Sequence, residues 1–236
     1  MSKQKPNTNP SATNTAKPHA KQSAIPQPAA PLDTKHRILD EALSLFAQKG
    51  YANVFVGEIA EKVGIKAPSL YKHFKSKQAI FEGVLEEMNE RYRAQTSLMN
   101  FGGENAQDDA PFFQNITEDK LVEVGTMLFQ YFLHDEYSSR FRKMMTIEQF
   151  NNPELARLYD KIYVDEPLSY QGAVLGMLTQ QGLLKTDKVD IMTLQFYAPI
   201  FLLLSICDRD SKREEEALKT LAEHIRQFNK IYGRKK

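Results

Sequence analysis

The residues best suited to chemistry in this sequence lie together, in the segment from Val56 to Lys77. Cations and hydroxyl groups follow one another there, with no carboxylate after Glu61. The candidate binding residues in the second part of the segment are Lys66, Ser69, Tyr71, Lys72, His73, Lys75 and Lys77. Ammonium, hydroxyl and imidazole groups are donors that proteins use on the phosphate backbone of nucleic acids. The pattern therefore indicates a surface that binds a polyanion.

The apolar residues between these polar groups predict two short helices joined by a tight turn. The apolar positions have the three- and four-residue steps that place them on facing sides of two helices; they are Ile59, Val63, Ile65 and Leu70. Gly64 stands where the turn needs a left-handed or open backbone. Pro68 fits the first turn of the second helix, where its missing N–H costs nothing. This is a helix-turn-helix with a cationic second helix, the element that enters a major groove.

Specific residues of this segment resemble the DNA-binding head of the TetR family of bacterial transcription regulators. They are Leu70-Tyr71, His73-Phe74 and Lys77, preceded by Ile38–Gly50, Tyr51 and Glu58-Ile59-Ala60, so that the resemblance spans about 34–84. It implies an all-α protein with an N-terminal three-helix helix-turn-helix head and a C-terminal helical bundle that forms a dimer and a ligand pocket. It also implies DNA contacts from Ser69, Tyr71, Lys72, His73 and Lys77, and Lys66 adds a long cation on the exposed face. Val54 and Phe55 depart from the pattern, because hydroxyl caps usually stand there, so one phosphate contact is in doubt.

The net charge of the chain changes sign at about residue 84, where the resemblance ends. Residues 1–83 hold 12 lysines and arginines against 6 acids, a net of +6, whereas residues 84–236 have a net of −5. We expect three parts: a disordered basic arm (1–31), the DNA-binding domain (32–83) and a ligand-binding and dimerisation domain (84–236). The arm, with Lys3, Lys5, Lys17 and Lys21, either attracts phosphates or serves only as a solubilising tail.

The rest of the chain reads as helices. Predicted helices cover Thr34–Lys49, Lys77 to about Thr96, Thr117 to about Leu133, Glu136–Gln149, a segment from Asn152-Pro153 with a kink at Glu166-Pro167, Lys188–Cys207 and Lys212–Tyr232, and Phe101–Pro111 is predicted to be a loop. The most apolar segment, Leu194–Ile206, is interpreted as too short to span a bilayer. The single cysteine, Cys207, is expected to be a buried thiol in a reducing cytoplasm.

Two helices of the second half carry a predicted dimer interface. Small residues share a helix face at Gly172, Ala173 and Gly176, and a later helix is apolar on most sides, with Phe196, Ile200 and Leu203 among its residues. Such a helix needs a partner beyond its own protomer, and TetR-like proteins pair two helices per subunit. The alternative is that both helices are simply interior.

A ligand pocket is the third predicted site. The second half is rich in soft and aromatic side chains, which suit an adaptable apolar cavity. The candidate lining residues are Met99, Met127, Tyr131, Phe141, Met145 and Tyr163. The same residues at helical spacing could equally form a hydrophobic core.

Motifs for catalysis, metal binding or a cofactor were not found. The five histidines fall on separate segments, and neither zinc-helix spacing nor a phosphate-binding glycine loop nor a nucleophile elbow occurs. These absences disfavour an enzyme, and the resemblance implies a cytoplasmic, homodimeric regulator that an apolar small-molecule inducer releases from operator DNA. The alternative is a helical ligand-binding or scaffold protein whose head does not bind DNA.

Overall fold

The computed structural model describes Met1 and residues 33–234, and helices dominate this part of the chain. Among these residues there are eleven α-helices and no strand, apart from one antiparallel bridge between Leu184 and Gly233. The helices are α1 (Thr34–Lys49), α2 (Val56–Val63), α3 (Ala67–His73), α4 (Lys77–Leu98), α5 (Ala106–Asn115), α6 (Glu118–His134), α7 (Glu136–Glu148), α8 (Pro153–Asp160), α9 (Glu166–Gln180), α10 (Val189–Arg209) and α11 (Glu214–Tyr232). The predicted all-α fold is confirmed. The predicted basic arm, with its four lysines, lies outside the described residues.

Local signals set the ends of the first helices. The Asp33 carboxylate accepts a hydrogen bond from the N–H of His36 at 2.9 Å and so begins α1. Gly50, with φ of +80°, ends that helix. The hydroxyl of Ser76 accepts from the N–H of Ala79 at 3.0 Å and caps α4. Because each of these contacts lies within one helical turn, it can be predicted from the sequence.

The turn between α2 and α3 depends on Gly64. This residue has φ of +77° and ψ of +31°, the left-handed conformation that ends many helices. Ile59, Val63 and Leu70, on either side of the turn, are almost completely buried against α1. The buried seam fixes the angle between α2 and α3 and leaves the opposite side of α3 in solvent.

Gly64, directly after α2, and Gly57, inside α2, form a matched pair of positions for testing that turn. We expect Gly64→Ala to lower the melting temperature by about 2–4 °C, because a Cβ in the left-handed region costs about 1 kcal/mol. Nothing lies within 4 Å of the added Cβ at either Gly64 or Gly57, so crowding does not contribute. Gly57→Ala should leave the melting temperature unchanged or raise it, because Gly57 lies inside a helix. Thermal unfolding followed by circular dichroism checks both, and equal losses in the two variants would contradict the account.

The core of the head continues into α7. Phe46 of α1 and Phe81 of α4 belong to one buried cluster with Phe141 and Met144 of α7, and the Phe81 and Phe141 rings are 6.1 Å apart. The Arg140 guanidinium on α7 also forms an ion pair with the Asp40 carboxylate on α1. The first helix of the head is therefore attached to α7 by apolar and polar contacts together.

The predicted loop at Phe101–Pro111 is wrong in its second half, where the chain forms α5. The Asn105 side chain caps this helix, and Pro111 lies inside it. Asp109, only 3% exposed, accepts hydrogen bonds from the N–H groups of Gly102 and Gly103 at 2.6 and 2.8 Å and from the Tyr170 hydroxyl at 2.7 Å. The contact with Tyr170, 61 positions later, holds the glycine turn against α9.

A π-helical turn, Lys161–Asp165, stands at the predicted kink before Pro167 and connects α8 to α9. Proline lacks the N–H that would bond to the preceding turn, and wider π turns accommodate such a gap. The kink predicted from the sequence is thus a local widening of the helix.

Helix α10 is longer than its predicted apolar stretch. With 21 residues it is long and apolar enough to cross a membrane on length and composition alone, so the interpretation as too short is wrong. Here it packs against α9 and α11, with Met192, Leu204 and Cys207 buried. Burial raises the pKa of the Cys207 thiol.

Candidate nucleic-acid interface

Helix α3 presents the predicted cationic surface to solvent. Leu70 is completely buried, which fixes the rotation of the helix. Lys66, Lys72 and His73 are exposed as a consequence, and Ser69 is partly exposed. Tyr71 is 44% exposed, so its ring is available on the surface rather than packed inside. The structure thus brings five of the six predicted DNA contacts onto one short helix and the residue that precedes it.

Lys77 has a different environment from the other predicted contacts. Its ammonium donates hydrogen bonds to the carbonyl oxygens of Tyr51 and Ala52, at 2.8 and 3.2 Å, and lies 4.5 Å from the centre of the Tyr51 ring. Burial lowers the pKa of this ammonium. Lys77 therefore holds the connection between α1 and α2, and of its three N–H donors one remains for a phosphate.

The start of α2 lacks a side-chain cap, as the apolar residues Val54 and Phe55 predicted. The Phe55 side chain is 70% exposed and gives no cap hydrogen bond. Glu58 compensates in part, because its carboxylate accepts a hydrogen bond from the Phe55 N–H at 3.4 Å and pairs with the Lys49 ammonium at 3.1 Å. The lysine contact, and then the Phe55 N–H, lower the pKa of the Glu58 carboxyl.

Arg37 is a positioning residue that sequence reasoning missed. Its guanidinium donates a hydrogen bond to the carbonyl oxygen of Val63, 26 residues later, at the end of α2. This contact ties the turn of the helix-turn-helix to α1. The sequence signal for this contact is limited to the position of Arg37, one residue before Ile38 and at the edge of the buried face of α1.

The glycines predicted at a dimer interface face inward. A Cβ on Gly172 would lie 3.4 Å from the Thr193 hydroxyl oxygen, and one on Gly176 would lie 3.9 Å from a Val189 methyl carbon. Both glycines therefore allow α10 of the same protomer to approach α9 closely. Ala173, between them, is exposed.

The predicted interface residues of α10 also face the protomer. The Phe196 ring lies 4.9 Å from the Phe228 ring, Leu203 is 9% exposed, and Ile200 packs against the same buried cluster as Leu203. The opposite side of α10 is apolar and open to solvent. Its exposed stripe, at steps of three and four residues, consists of Ile191, Leu194, Ala198 and Leu202.

Comparison with known proteins places the chain in a family. Residues 38–84 match the family model described as bacterial regulatory proteins, tetR family. The biofilm operon icaADBC negative transcriptional regulator IcaR of Staphylococcus aureus is 30% identical over 133 residues, which are 54% of this chain and 70% of IcaR. The chain belongs to the TetR family. This TetR-family protein is also similar to the uncharacterized HTH-type transcriptional regulator YdgC of Bacillus subtilis, with 33% identity over 107 residues, which are 41% of this chain and 55% of YdgC.

The fold of this TetR-family protein is also shared with solved structures. The SmeT–triclosan complex matches with a TM-score of 0.62 and 19% identity, over 86% of this chain and 93% of that chain. SmeT is the repressor of the Stenotrophomonas maltophilia multidrug efflux pump SmeDEF. At this identity the likeness shows the fold.

The six predicted pocket residues of this TetR-family protein lie in three different surroundings. Phe141 and Met145 are completely buried in the cluster shared with the head, and Tyr163 packs against that cluster. Met99 and Met127 belong to a smaller cluster around Phe101 and Val124. Tyr131 is partly exposed, and its hydroxyl lies 3.4 Å from that of Ser138. The structure does not bring these side chains together around one cavity, and a pocket stays a prediction.

The four histidines in the described region lie apart, and three of them have separate local partners. His36 pairs with the carboxylates of Asp33 and Glu87, and His134 pairs with Glu214 at 2.7 Å. His224 bonds to the Phe196 carbonyl oxygen at 2.8 Å, and His73 is on the surface of α3. Within residues 33–234 no three metal-binding side chains come together.

Proposed function

We propose that this chain is a cytoplasmic, homodimeric transcriptional repressor, which binds operator DNA through α3 and leaves it when a small molecule binds. Exposed Lys72 of α3 and exposed Lys66 directly before it, at a helix whose rotation is fixed by buried Leu70, carry the proposal. Residues 32–83 would form the DNA-binding head and residues 84–236 the ligand-binding and dimerisation body. IcaR is a negative regulator and SmeT a repressor, which supports repression as the direction of control.

The proposed contacts favour phosphates over bases. The exposed residues of α3 are lysine, tyrosine, serine and histidine, whereas bidentate base readout uses arginine, asparagine or glutamine. Phosphate contacts position the head and supply salt-dependent affinity. Discrimination between operators then depends on the pairing of two half-sites and on DNA shape.

The proposed dimer uses the exposed stripe of α10. Ile191, Leu194 and Leu202 are 48%, 50% and 57% exposed, and a contiguous apolar surface of this kind marks an interaction site. Exposed Ala173 on neighbouring α9 extends the surface, which gives two helices from each protomer. A two-fold dimer places two α3 helices about one turn of DNA apart, roughly 34–36 Å.

The proposed response to a ligand requires a change in the separation of the two heads. An inducer shifts the equilibrium only if it binds the DNA-incompatible arrangement more tightly than the competent one. SmeT has been solved with triclosan, and we extend ligand binding of that kind, to an apolar compound, to this chain. Two helices would transmit such a change to the head. Helix α4 follows α3 directly in the chain, and α7 packs on α1.

Replacing one exposed lysine of α3 measures the phosphate contribution. We expect Lys72→Ala to weaken operator binding about tenfold and to reduce the slope of log affinity against log salt by about 1, as for the loss of one phosphate contact. Fluorescence anisotropy of a labelled operator duplex over a salt series gives both values. Lys230→Ala, at an exposed position of α11, removes the same charge and should leave both unchanged. An unaltered slope in Lys72→Ala would contradict the assignment of α3.

Footprinting tests the proposed function as a whole. The purified protein should protect a region of two half-sites upstream of its own coding sequence, against excess competitor duplex. Binding to random duplex with a steep salt dependence, without a protected region, would retain DNA binding but reject the regulator. No binding to either would favour the alternative of a helical ligand-binding or scaffold protein.

A further inference from the structure

A buried carboxylate lies where the head meets α7. Glu148, the last residue of α7, is 6% exposed, and one of its oxygens accepts a hydrogen bond from the Tyr51 N–H at 3.2 Å. The same oxygen lies 2.6 Å from the position that a Cβ on Gly50 would take, so a larger residue at position 50 would displace the Glu148 side chain. Within residues 33–234 no lysine, arginine or histidine forms an ion pair with this carboxylate. Among these residues, the hydrogen-bond partner of the Glu148 carboxylate is therefore one neutral group, the Tyr51 N–H.

Burial of a carboxylate without a cation is costly. The nearest lysine along the chain, Lys49, does not neutralise it, because its ammonium pairs with Glu58 at 3.1 Å. The side-chain amide nitrogens of Asn53 and Asn151 donate to the backbone carbonyls of Lys49 and Ile147, at 2.9 and 3.3 Å. Each of these amides therefore uses one of its two N–H groups on the backbone, and neither donates to Glu148.

Glu148 lines a small cavity between the end of α1 and the end of α7. The cavity has a volume of about 260 Å³, and Asn53, Asn151 and Ile147 also line it. Ile147, which is 58% exposed, offers apolar surface to the cavity, whereas Phe46 and Met144 border it but are almost completely buried. At about 30 Å³ for each water in the liquid, this space corresponds to roughly nine waters, which suits a ligand of fewer than about ten heavy atoms.

We propose that this cavity binds a small primary amine as its ammonium ion. The ammonium would supply the missing positive charge and three N–H donors to Glu148 and neighbouring carbonyl groups, and its alkyl part would lie against the exposed side chain of Ile147. The site is distinct from the apolar inducer pocket predicted in the body. Since Tyr51 belongs to the connection between α1 and α2, a bound ammonium braces the head against α7.

Thermal unfolding of the full-length protein with n-butylammonium chloride tests the site without DNA. We expect the melting temperature to rise saturably, by about 3 °C or more at ten times the dissociation constant. Sodium chloride and tetramethylammonium chloride at the same ionic strength should give no such rise, because neither cation donates an N–H. A flat response to the amine, or equal responses to all three salts, would overturn the proposal.

Three variants connect the response to Glu148. Glu148→Gln keeps the shape and should abolish the amine-dependent shift, whereas Glu136→Gln, an exposed position at the other end of α7, should retain it. Asn151→Lys places an ammonium three residues from Glu148, at an exposed residue that lines the cavity. It should raise the melting temperature without amine and remove the response to amine, even if Glu148→Gln does not fold. A full response in Asn151→Lys would overturn the site.

This test is separate from the proposed function. It uses no operator, so a protein that fails to bind DNA still gives a result for the cavity. Conversely, an absent amine response leaves the DNA-binding measurements untouched.

Discussion

Leu202→Asp should convert the proposed dimer into a monomer and lower its affinity for the operator about 10²–10⁴-fold. Leu202 is 57% exposed in the protomer, so a charged side chain there costs little in folding. In a two-fold interface the same aspartate would be buried twice, near its own symmetry copy, and each carboxylate would lack a partner. With the dimer lost, each half-site binds alone and the gain from linkage disappears.

Light scattering gives the mass of the Leu202→Asp protein, and anisotropy gives its operator affinity. Leu98→Asp is the matched control, because Leu98 is 76% exposed at the end of α4 and does not belong to the α10 stripe. The control should remain dimeric and bind normally. If Leu202→Asp stays dimeric at micromolar concentration, the interface lies elsewhere.

Removing the Arg142 guanidinium should produce the largest loss of stability. Arg142 on α7 is 4% exposed and donates two hydrogen bonds to the Asp208 carboxylate on α10, at 2.6 and 2.8 Å, and a third to the Phe132 carbonyl on α6 at 2.8 Å. Arg142→Met would leave a largely buried carboxylate without its cation. Breaking such a pair costs about 3–5 kcal/mol, which lowers the melting temperature by about 10 °C.

A double variant separates the cost of the orphaned charge from the loss of the pair. Arg142→Met with Asp208→Leu should be more stable than Arg142→Met alone, because both charges are then absent. Lys219→Met breaks the exposed pair with Glu215 and should leave the melting temperature almost unchanged, because solvent screens an exposed pair. Thermal and urea unfolding measure all three. A double variant less stable than the single one would contradict this account, because the orphaned Asp208 carboxylate would then not be the source of the loss.

The head was predictable from the sequence because its determinants are local. Gly64, Ser76 and Leu70 act within a turn or two, and their spacing alone indicates where α2, α3 and α4 begin or end. The cationic face of α3 follows from the same spacing, because burial of Leu70 decides which residues remain outside. Lys77 is the exception, since its two carbonyl partners lie 25 and 26 residues earlier.

The body was predictable as helices, but its contacts were not. Glycines of α9 predict a close approach of another helix, and only the fold shows that this helix is α10 of the same protomer. Likewise α10 is apolar around most of its circumference, so the sequence does not distinguish buried Leu203 from exposed Leu202. Glu148 and Asp109 read as surface acids, because their burial depends on partners 97 and 61 residues away.

The burial of Cys207 makes it possible to measure the distance between the two DNA-binding heads with dyes attached at another position. This thiol, the single one in the sequence, is 3% exposed in α10, and burial raises its pKa, so thiol-reactive dyes should leave it unmodified under native conditions. A cysteine introduced at exposed Glu61 of α2 would then be the labelled position in each protomer. Resonance energy transfer between two such dyes would report the spacing of the heads in solution while an amine, an inducer or a duplex is added.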